Sequence, residues 1–335
     1  MAAPDHAVHT RAVMMLVLAT LFWGLSFPLV KAIALAHLAV VPASGSWFIT
    51  ACTVAPRFLL GSAVQLLVLG KKLRSFTRLE LKQGGLIGLA LGAGMLLQND
   101  GLQFTSASTS AFLTQLYAVM IPLWIAWRQR RWPPAAVRWC CALVLPGVAI
   151  LGRFDFRALH LGRGEVETLI SSVFFMMQIF LLERKEFAAN RALPVTLVMF
   201  VTEAGLFSVL ALGTAPSPAD VLVPWTSGPW LGLTLLLTLF CTLGAFSLMI
   251  KWQPKISATE AGLIYCVEPV FTAVMALFLP ALFSAWGGFA YANERITWHL
   301  LVGGGLITAA NLLIQLKPPS SAQATAGGPA KTVAR

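Results

Sequence analysis

A glutamate followed by a proline inside an apolar segment has the clearest chemical potential in the chain. Glu268 and Pro269 lie in IYCVEPVFTAV, residues 264–274, and the apolar run extends from about 258 to 279. A helix of that length crosses about 30 Å of hydrocarbon, which would place Glu268 near mid-membrane. Because an ionisable side chain at that depth costs about 2.5–3.5 kcal/mol on insertion scales, its presence needs a reason.

Two roles for Glu268 are compatible with the sequence. In the first, it faces a central cavity and binds a cationic group or a proton during a transport cycle. In the second, it accepts hydrogen bonds from donors near the helix break that Pro269 predicts, and only holds the kink. We favour the first role, because ionisable residues within a membrane mark substrate or ion pathways by default.

Two further charges, Arg57 and Glu203, lie deep in other apolar segments. They either pair, which would offset part of their desolvation, or each meets water or a backbone carbonyl separately. Trp23 is also central in its segment and precedes a glycine, so a cavity-lining aromatic is favoured over a lipid-facing or packing role. Further candidates for a polar cavity wall are Tyr117, Tyr265, Gln98 and Gln178.

Composition defines the class of protein that must position these residues. Of 335 residues, 58% are hydrophobic and only 11% are charged, with a mean hydropathy of +0.78, which predicts an all-α polytopic membrane protein. The net charge of +11 does not indicate nucleic-acid binding, because the basic residues lie in short links between apolar runs. Ten transmembrane helices are predicted at 13–35, 47–69, 83–103, 107–127, 135–152, 163–182, 194–213, 229–250, 258–280 and 297–316.

The basic residues also predict orientation. Most of the 24 lysines and arginines fall in the links that share a side with the N-terminus, so both termini are expected in the cytoplasm, with the chain in the inner membrane. Residues 1–12 form a cytoplasmic tail, and the first span is expected to stay uncleaved. The polar, Pro-containing tail 318–335 is predicted to be disordered. The five cysteines show no metal-ligand spacing, so we expect neither a metal nor a disulfide framework.

An internal repeat divides the spans into two halves, 13–152 and 153–317. The segments SASTSAFLTQLYAVM and SATEAGLIYCVEPVF begin at Ser106 and Ser257, 151 positions apart, and align without gaps. In this alignment Tyr117 falls opposite Glu268. Because five spans is an odd number, the two halves enter the membrane from opposite sides, which is the inverted-repeat arrangement of many secondary transporters.

With these motifs the sequence resembles the drug/metabolite transporter superfamily, in its EamA-like branch of ten-helix carriers. The resemblance covers nearly the whole chain and rests on FWGLSFPLVK, PRFLLGSA, GLQFTSASTSAFLTQLYAVMIP, SATEAGLIYCVEPVF and NERITWHLLVGGGLI. It implies a secondary-active or facilitative carrier, with export the expected direction, for small organic metabolites by alternating access. Alanine at 118, where the family usually has proline, and the additional stretch LPALFSAWGGFAYA depart from the family pattern.

The expected partners are a small-molecule substrate, the lipid bilayer and a proton or counter-ion; the oligomeric state is left open. We expect no cofactor, because no nucleotide-binding loop is present. A channel or sensor remains an alternative. A membrane-embedded enzyme is less well supported, because the five histidines lie in the tail or near span ends and form no catalytic set.

Overall fold

The computed structural model describes residues 6–70, 75–105, 107–151, 162–295 and 297–316. Within these ranges the chain consists of helices and turns and contains no strand. The predicted tail 318–335 and the boundary between the predicted halves, 152–153, lie outside them. The α-helices are α1 (His6–Val40), α2 (Ser46–Leu69), α3 (Arg78–Phe104), α4 (Ala107–Thr114), α5 (Tyr117–Gln129), α6 (Ala135–Leu151), α7 (Arg163–Glu183), α8 (Ala192–Thr214), α9 (Gly228–Leu236), α10 (Ala245–Trp252), α11 (Ala258–Tyr265), α12 (Glu268–Met275), α13 (Leu279–Gly287) and α14 (Trp298–Leu316).

Six helical stretches are long and apolar enough to cross a membrane, which makes the chain a multi-pass membrane protein. One of them, Gly228–Lys255, joins α9 to α10 through a π-helical segment, Leu237–Gly244. The other predicted spans fall on α3, on the pair α4 and α5, on α6 and on α14. The stretches are Ala7–Val40, Ser46–Val68, Arg163–Glu183, Ala192–Thr214, Gly228–Lys255 and Ala258–Met275.

A strip of glycines brings α3 close to α8. A Cβ built at Gly84 would lie 2.6 Å from Cβ of Val198, and one at Gly88 would lie 2.8 Å from Cβ of Thr202. Any side chain at these positions would therefore push the helices apart. Glycines spaced four residues apart thus permit close packing of α3 against α8.

Glycine also allows α1 to approach α12. A Cβ at Gly24 would lie 2.6 Å from Cβ of Phe271 and 3.3 Å from the carbonyl oxygen of Glu268. The glycine that follows Trp23 thus gives α12 room to lie directly against the middle of α1. This contact packs α12 against α1 next to the position of Trp23.

Two helical segments are interrupted at related positions. α4 ends at Thr114 and α5 begins at Tyr117, while α11 ends at Tyr265 and α12 begins at Glu268. The interruptions, 115–116 and 266–267, are separated by the same 151 positions that align the two sequence repeats. The four helices cross-pair, with α4 packed against α12 and α5 against α11.

Candidate functional site

A cavity lies where the two interrupted segments meet. The space that no atom fills has a volume of about 730 Å³, a figure that includes the part open to solvent. Both predicted halves contribute to its wall. The lining residues are Trp23, Ser26, Phe27, Val30, Arg57, Leu91, Met95, Gln98, Asn99, Leu102, Thr114 and Tyr117 from the first half, and Phe175, Gln178, Ile179, Cys241, Phe246, Met249, Tyr265 and Glu268 from the second.

Most of the candidate residues meet at this cavity. Those that line it are Trp23, Arg57, Gln98, Tyr117, Gln178, Tyr265 and Glu268. Pro269 is buried as the second residue of α12, next to Glu268. Glu203 is buried on α8 and does not contribute to the lining. The structure therefore brings together seven residues from seven helices, whereas the carboxyl group of Glu203 lies outside the lining.

Glu268 begins α12 and is only 6% exposed. Its carboxyl oxygen Oε2 accepts a hydrogen bond from Nε2 of Gln115, at 3.2 Å. Gln115 is in the interruption between α4 and α5, so the contact joins the two broken segments. Glu268 thus lines the cavity and also accepts a bond beside a helix break, a position compatible with both roles that the sequence left open.

Aromatic rings form one wall beside Glu268. The ring of Trp23 meets the ring of Tyr265 edge to face, with 5.2 Å between centroids, and lies 5.5 Å from Phe246. Such an arrangement presents apolar ring faces together with polar ring edges. A planar or cationic group of a solute can pack against these surfaces.

A layer of polar contacts lies beside the cavity at Tyr265. The hydroxyl of Tyr265 donates to Oε1 of Gln253 at 2.9 Å, and Nε2 of Gln253 donates to the carbonyl of Ile179 at 3.1 Å. Beyond this layer, His9 and Glu260 lie 2.7 Å apart. Tyr265 and Gln253 are 1% and 2% exposed, whereas Ser26 and Gln98 are partly exposed. The cavity is therefore more enclosed beside Tyr265 and Gln253 than beside Ser26 and Gln98.

Arg57 and Glu203 do not form a direct ion pair. No nitrogen of Arg57 lies within 4.0 Å of a Glu203 oxygen, and within the described ranges neither Glu203 oxygen has a hydrogen-bond partner. Instead, Nη2 of Arg57 points at the thioether sulfur of Met95, at 2.7 Å, and Nε has no partner there. The pairing that the sequence allowed is thus absent from this conformation, although each charge remains within electrostatic range of the other.

Sequence reasoning missed Gln115. Its side chain is 1% exposed and provides the hydrogen bond to Glu268 described above. The repeat alignment contained a usable signal, because Gln115 lies two residues before Tyr117, the position opposite Glu268. A polar residue so close to that position was a candidate for contact across the repeat axis.

The described residues contain no cluster of three His, Cys, Asp or Glu side chains able to hold a metal.

Short ionic contacts lie near the ends of helices. Arg163 on α7 pairs with Asp100 and Glu167, and Arg191 pairs with Glu80 at the start of α3. Lys31 on α1 donates to the carbonyl of Thr105 at 3.2 Å.

The chain is similar to a protein of Archaeoglobus fulgidus named an uncharacterized transporter. The two are 23% identical over 305 residues, which covers 90% of this chain and 85% of that protein. A solved crystal structure superposes with a TM-score of 0.61 at 19% identity, covering 92% of this chain and 98% of the other, and this likeness shows the fold alone. No family profile matches the chain. The helical membrane architecture and the name of this relative together support a transporter.

Proposed function

We propose that the protein is a secondary-active or facilitative carrier of small organic metabolites, related to the EamA-like branch of the drug/metabolite transporters. The observation that carries the proposal is the cavity at which both interrupted segments meet. Transporters of this general design bind solutes near mid-membrane, between repeats and beside discontinuous helices. Glu268, Gln115 and the ring of Trp23 supply the polar and aromatic contacts that such a site needs.

The packing of the helices supports two inverted five-span halves. If the predicted spans are numbered in order, α2, the pair α4 and α5, and α6 are spans two, four and five. Each packs against its counterpart in the second half: α8, the pair α11 and α12, and α14. Likewise span three (α3) packs against span six (α7), and span one (α1) packs against span eight, which includes α10. These two contacts are the same pair of spans with the first and second halves exchanged. This reciprocal pairing is expected of two halves related by a two-fold axis in the membrane plane.

The enclosed side of the cavity, beside Tyr265 and Gln253, suggests which state of a transport cycle this conformation represents. The basic residues predict that the chain lies in the inner membrane with its N-terminus in the cytoplasm. In that orientation the Tyr265–Gln253 layer is the cytoplasmic gate, and it is closed in this conformation. Export then requires this layer to open to load a solute. Reporter fusions at residues 75, 132 and 320 should report cytoplasm, and fusions at 42 and 220 the outside. A cytoplasmic signal at 220 contradicts the ten-span arrangement.

Counterflow in proteoliposomes tests the carrier. A thermal-shift screen with amino acids, nucleosides, sugars and cationic compounds selects a probe, because a ligand stabilises the state that it binds. Labelled probe should then enter vesicles preloaded with unlabelled probe, with saturable kinetics and stimulation by the internal pool. Linear flux without that stimulation would favour a channel, the alternative from another functional class.

A further inference from the structure

Glu203 is a buried acidic side chain that has no hydrogen-bond or ion-pair partner among the described residues. It lies on α8, which carries no other ionisable residue, and it is 0% exposed. Both of its oxygens lack hydrogen-bond partners within the described part of the chain. An ionised carboxylate in such surroundings carries a large desolvation cost, and the usual response of a protein is to keep the group neutral. The geometry therefore describes a protonated carboxylic acid.

The surroundings of Glu203 identify the group with which it interacts. From α3, the nearest position is Gly92, where an added Cβ would lie 3.4 Å from both carboxyl oxygens. From α2, Arg57 is the charged residue within electrostatic range. The π-helical segment contributes Cys241, which lies in the range of Arg57. The guanidinium is thus the cation that an ionised Glu203 would meet.

Arg57 lines the cavity and also lies within electrostatic range of Glu203. It lines the cavity wall, is 3% exposed, and directs Nη2 at a thioether sulfur, which is a weak acceptor. A guanidinium stays charged in proteins and binds oxyanions through parallel N–H donors. Arg57 has no ion pair within the described residues in this conformation, and a counter-ion can come from Glu203 or from the cavity, which Glu268 also lines.

We infer that Arg57 and Glu203 form a proton-controlled site for an oxyanion, a carboxylate or an inorganic ion of the same type. While Glu203 holds a proton, Arg57 presents its charge to the cavity and binds the oxyanion. When Glu203 releases that proton to water, the carboxylate takes Arg57 as its counter-ion and the oxyanion leaves. The inference extends the proposed function by assigning a ligand chemistry and a coupled proton to the cavity.

The coupling has a definite sign. An anion on Arg57 removes the cation that would stabilise ionised Glu203, so anion binding favours the protonated form. By reciprocity, protonation strengthens anion binding by the same factor. Anion and proton therefore bind together, and anions bind more tightly as the pH falls.

Infrared difference spectroscopy of the full-length protein in lipid tests the proton. We expect a C=O stretch of a protonated carboxyl group at pH 7 that loses intensity in Glu203→Gln. The Glu203 component should remain in Glu260→Gln, a control carboxyl whose partner is His9, and in Glu268→Gln, which removes the other buried acid at the cavity. Glu203→Asp, which keeps a carboxyl group, should keep a titrating band. Arg57→Gln should move the disappearance of the band upward by about 1–3 pH units, whereas Arg57→Lys should titrate close to wild type.

The same band tests the anion. Sulfate and benzoate are compared with chloride at equal ionic strength, and either one should raise the pH at which the band disappears in the wild type but not in Arg57→Gln. A response to benzoate alone assigns an organic carboxylate, and a response to both assigns oxyanions in general. The absence of both responses, or a wild-type band whose intensity Glu203→Gln leaves unchanged, overturns the inference. Because no flux is measured, failure of the counterflow experiment leaves this result independent.

Discussion

The two interrupted segments make the same turn with different residues. In the first, N–H of Leu116 bonds to the carbonyl of Leu113, and those of Val119 and Met120 bond to Leu116. The second repeats this pattern 151 positions later, with bonds from Val267 to Ile264 and from Val270 and Phe271 to Val267. The first segment has Ala118 where the second has Pro269. The interruption therefore belongs to the position in the fold and does not require proline.

The side chains at the two interruptions differ far more than the backbone does. α5 begins with the neutral Tyr117 and α12 with the acidic Glu268, and both residues line the cavity. Gln115, from the first interruption, then donates to Glu268 in the second. A symmetric backbone thus supports an asymmetric site, in which one half contributes the acid and the other contributes its hydrogen-bond donor.

The largest expected effect is on the acid. Glu268→Gln keeps the size and much of the hydrogen bonding of the side chain but removes its charge and its exchangeable proton. We expect a normal amount of protein in the membrane and at least about a tenfold loss of counterflow, equivalent to about 1.4 kcal/mol, or loss of its pH dependence. The measurement is counterflow of the selected probe at matched expression.

Tyr117→Phe is the matched control at the related position. It removes only a neutral hydroxyl, so we expect a smaller loss than for Glu268→Gln. If the two variants transport equally well, or if Glu268→Gln keeps the wild-type rate and pH profile, the acid is a structural residue and the asymmetry has no role in transport.

This comparison also shows what could be predicted from sequence. Apolar length and the 151-position repeat predicted membrane-spanning helices and located Glu268, because burial depends mainly on local composition. The interruption at 115–116 was not predicted, because it lacks the proline that marks a helix break. The Gln115 contact was also missed, because it depends on how helices distant in sequence pack together. The same is true of Arg57 and Glu203. The sequence predicted that both lie deep in the membrane, but it did not predict that their side chains stay apart.

The next prediction concerns the contact between the two interruptions. In a double-mutant cycle of Gln115→Leu and Glu268→Leu, each of which removes the contact, the free energies of unfolding should be coupled by about 1–2 kcal/mol. The control cycle pairs Glu268→Leu with Gln178→Leu, because Nε2 of Gln178 points instead at the sulfur of Met249, at 3.3 Å. Equal coupling in both cycles would show that the Gln115 contact adds nothing specific.

A smaller effect on stability is expected from Glu80, which lies outside the two interruptions. The hydrogen bonds from Arg191 lower the pKa of Glu80 to about 2. Glu80 therefore stabilises the folded state above its ordinary pKa of about 4.3, and this contribution is lost as the pH falls from there towards 2. Since Arg191 is half exposed, we expect Glu80→Gln to lower stability by about 1 kcal/mol at pH 7.

Thermal unfolding across pH checks this prediction. The wild type should lose stability in acid more steeply than Glu80→Gln. Glu186→Gln is the control, because Glu186 makes its ion pairs at the surface, where both partners are largely exposed. A profile for Glu80→Gln that parallels the wild type would place the acid sensitivity elsewhere in the chain.

The smallest expected effects come from exchanging the residues that distinguish the two backbones. Ala118 donates its N–H to the carbonyl of Gln115 at 3.0 Å, a bond that Pro269 cannot make. Both residues are second in their helices, where proline is well tolerated, so Ala118→Pro and Pro269→Ala should each change the free energy of unfolding by less than about 1 kcal/mol. Pro269→Ala should instead shift the balance between inward and outward states, measured by the accessibility of cysteines placed at either end of the cavity. If Pro269→Ala unfolds the protein or joins α11 to α12, proline maintains the second interruption, and the two segments reach the same shape for different reasons.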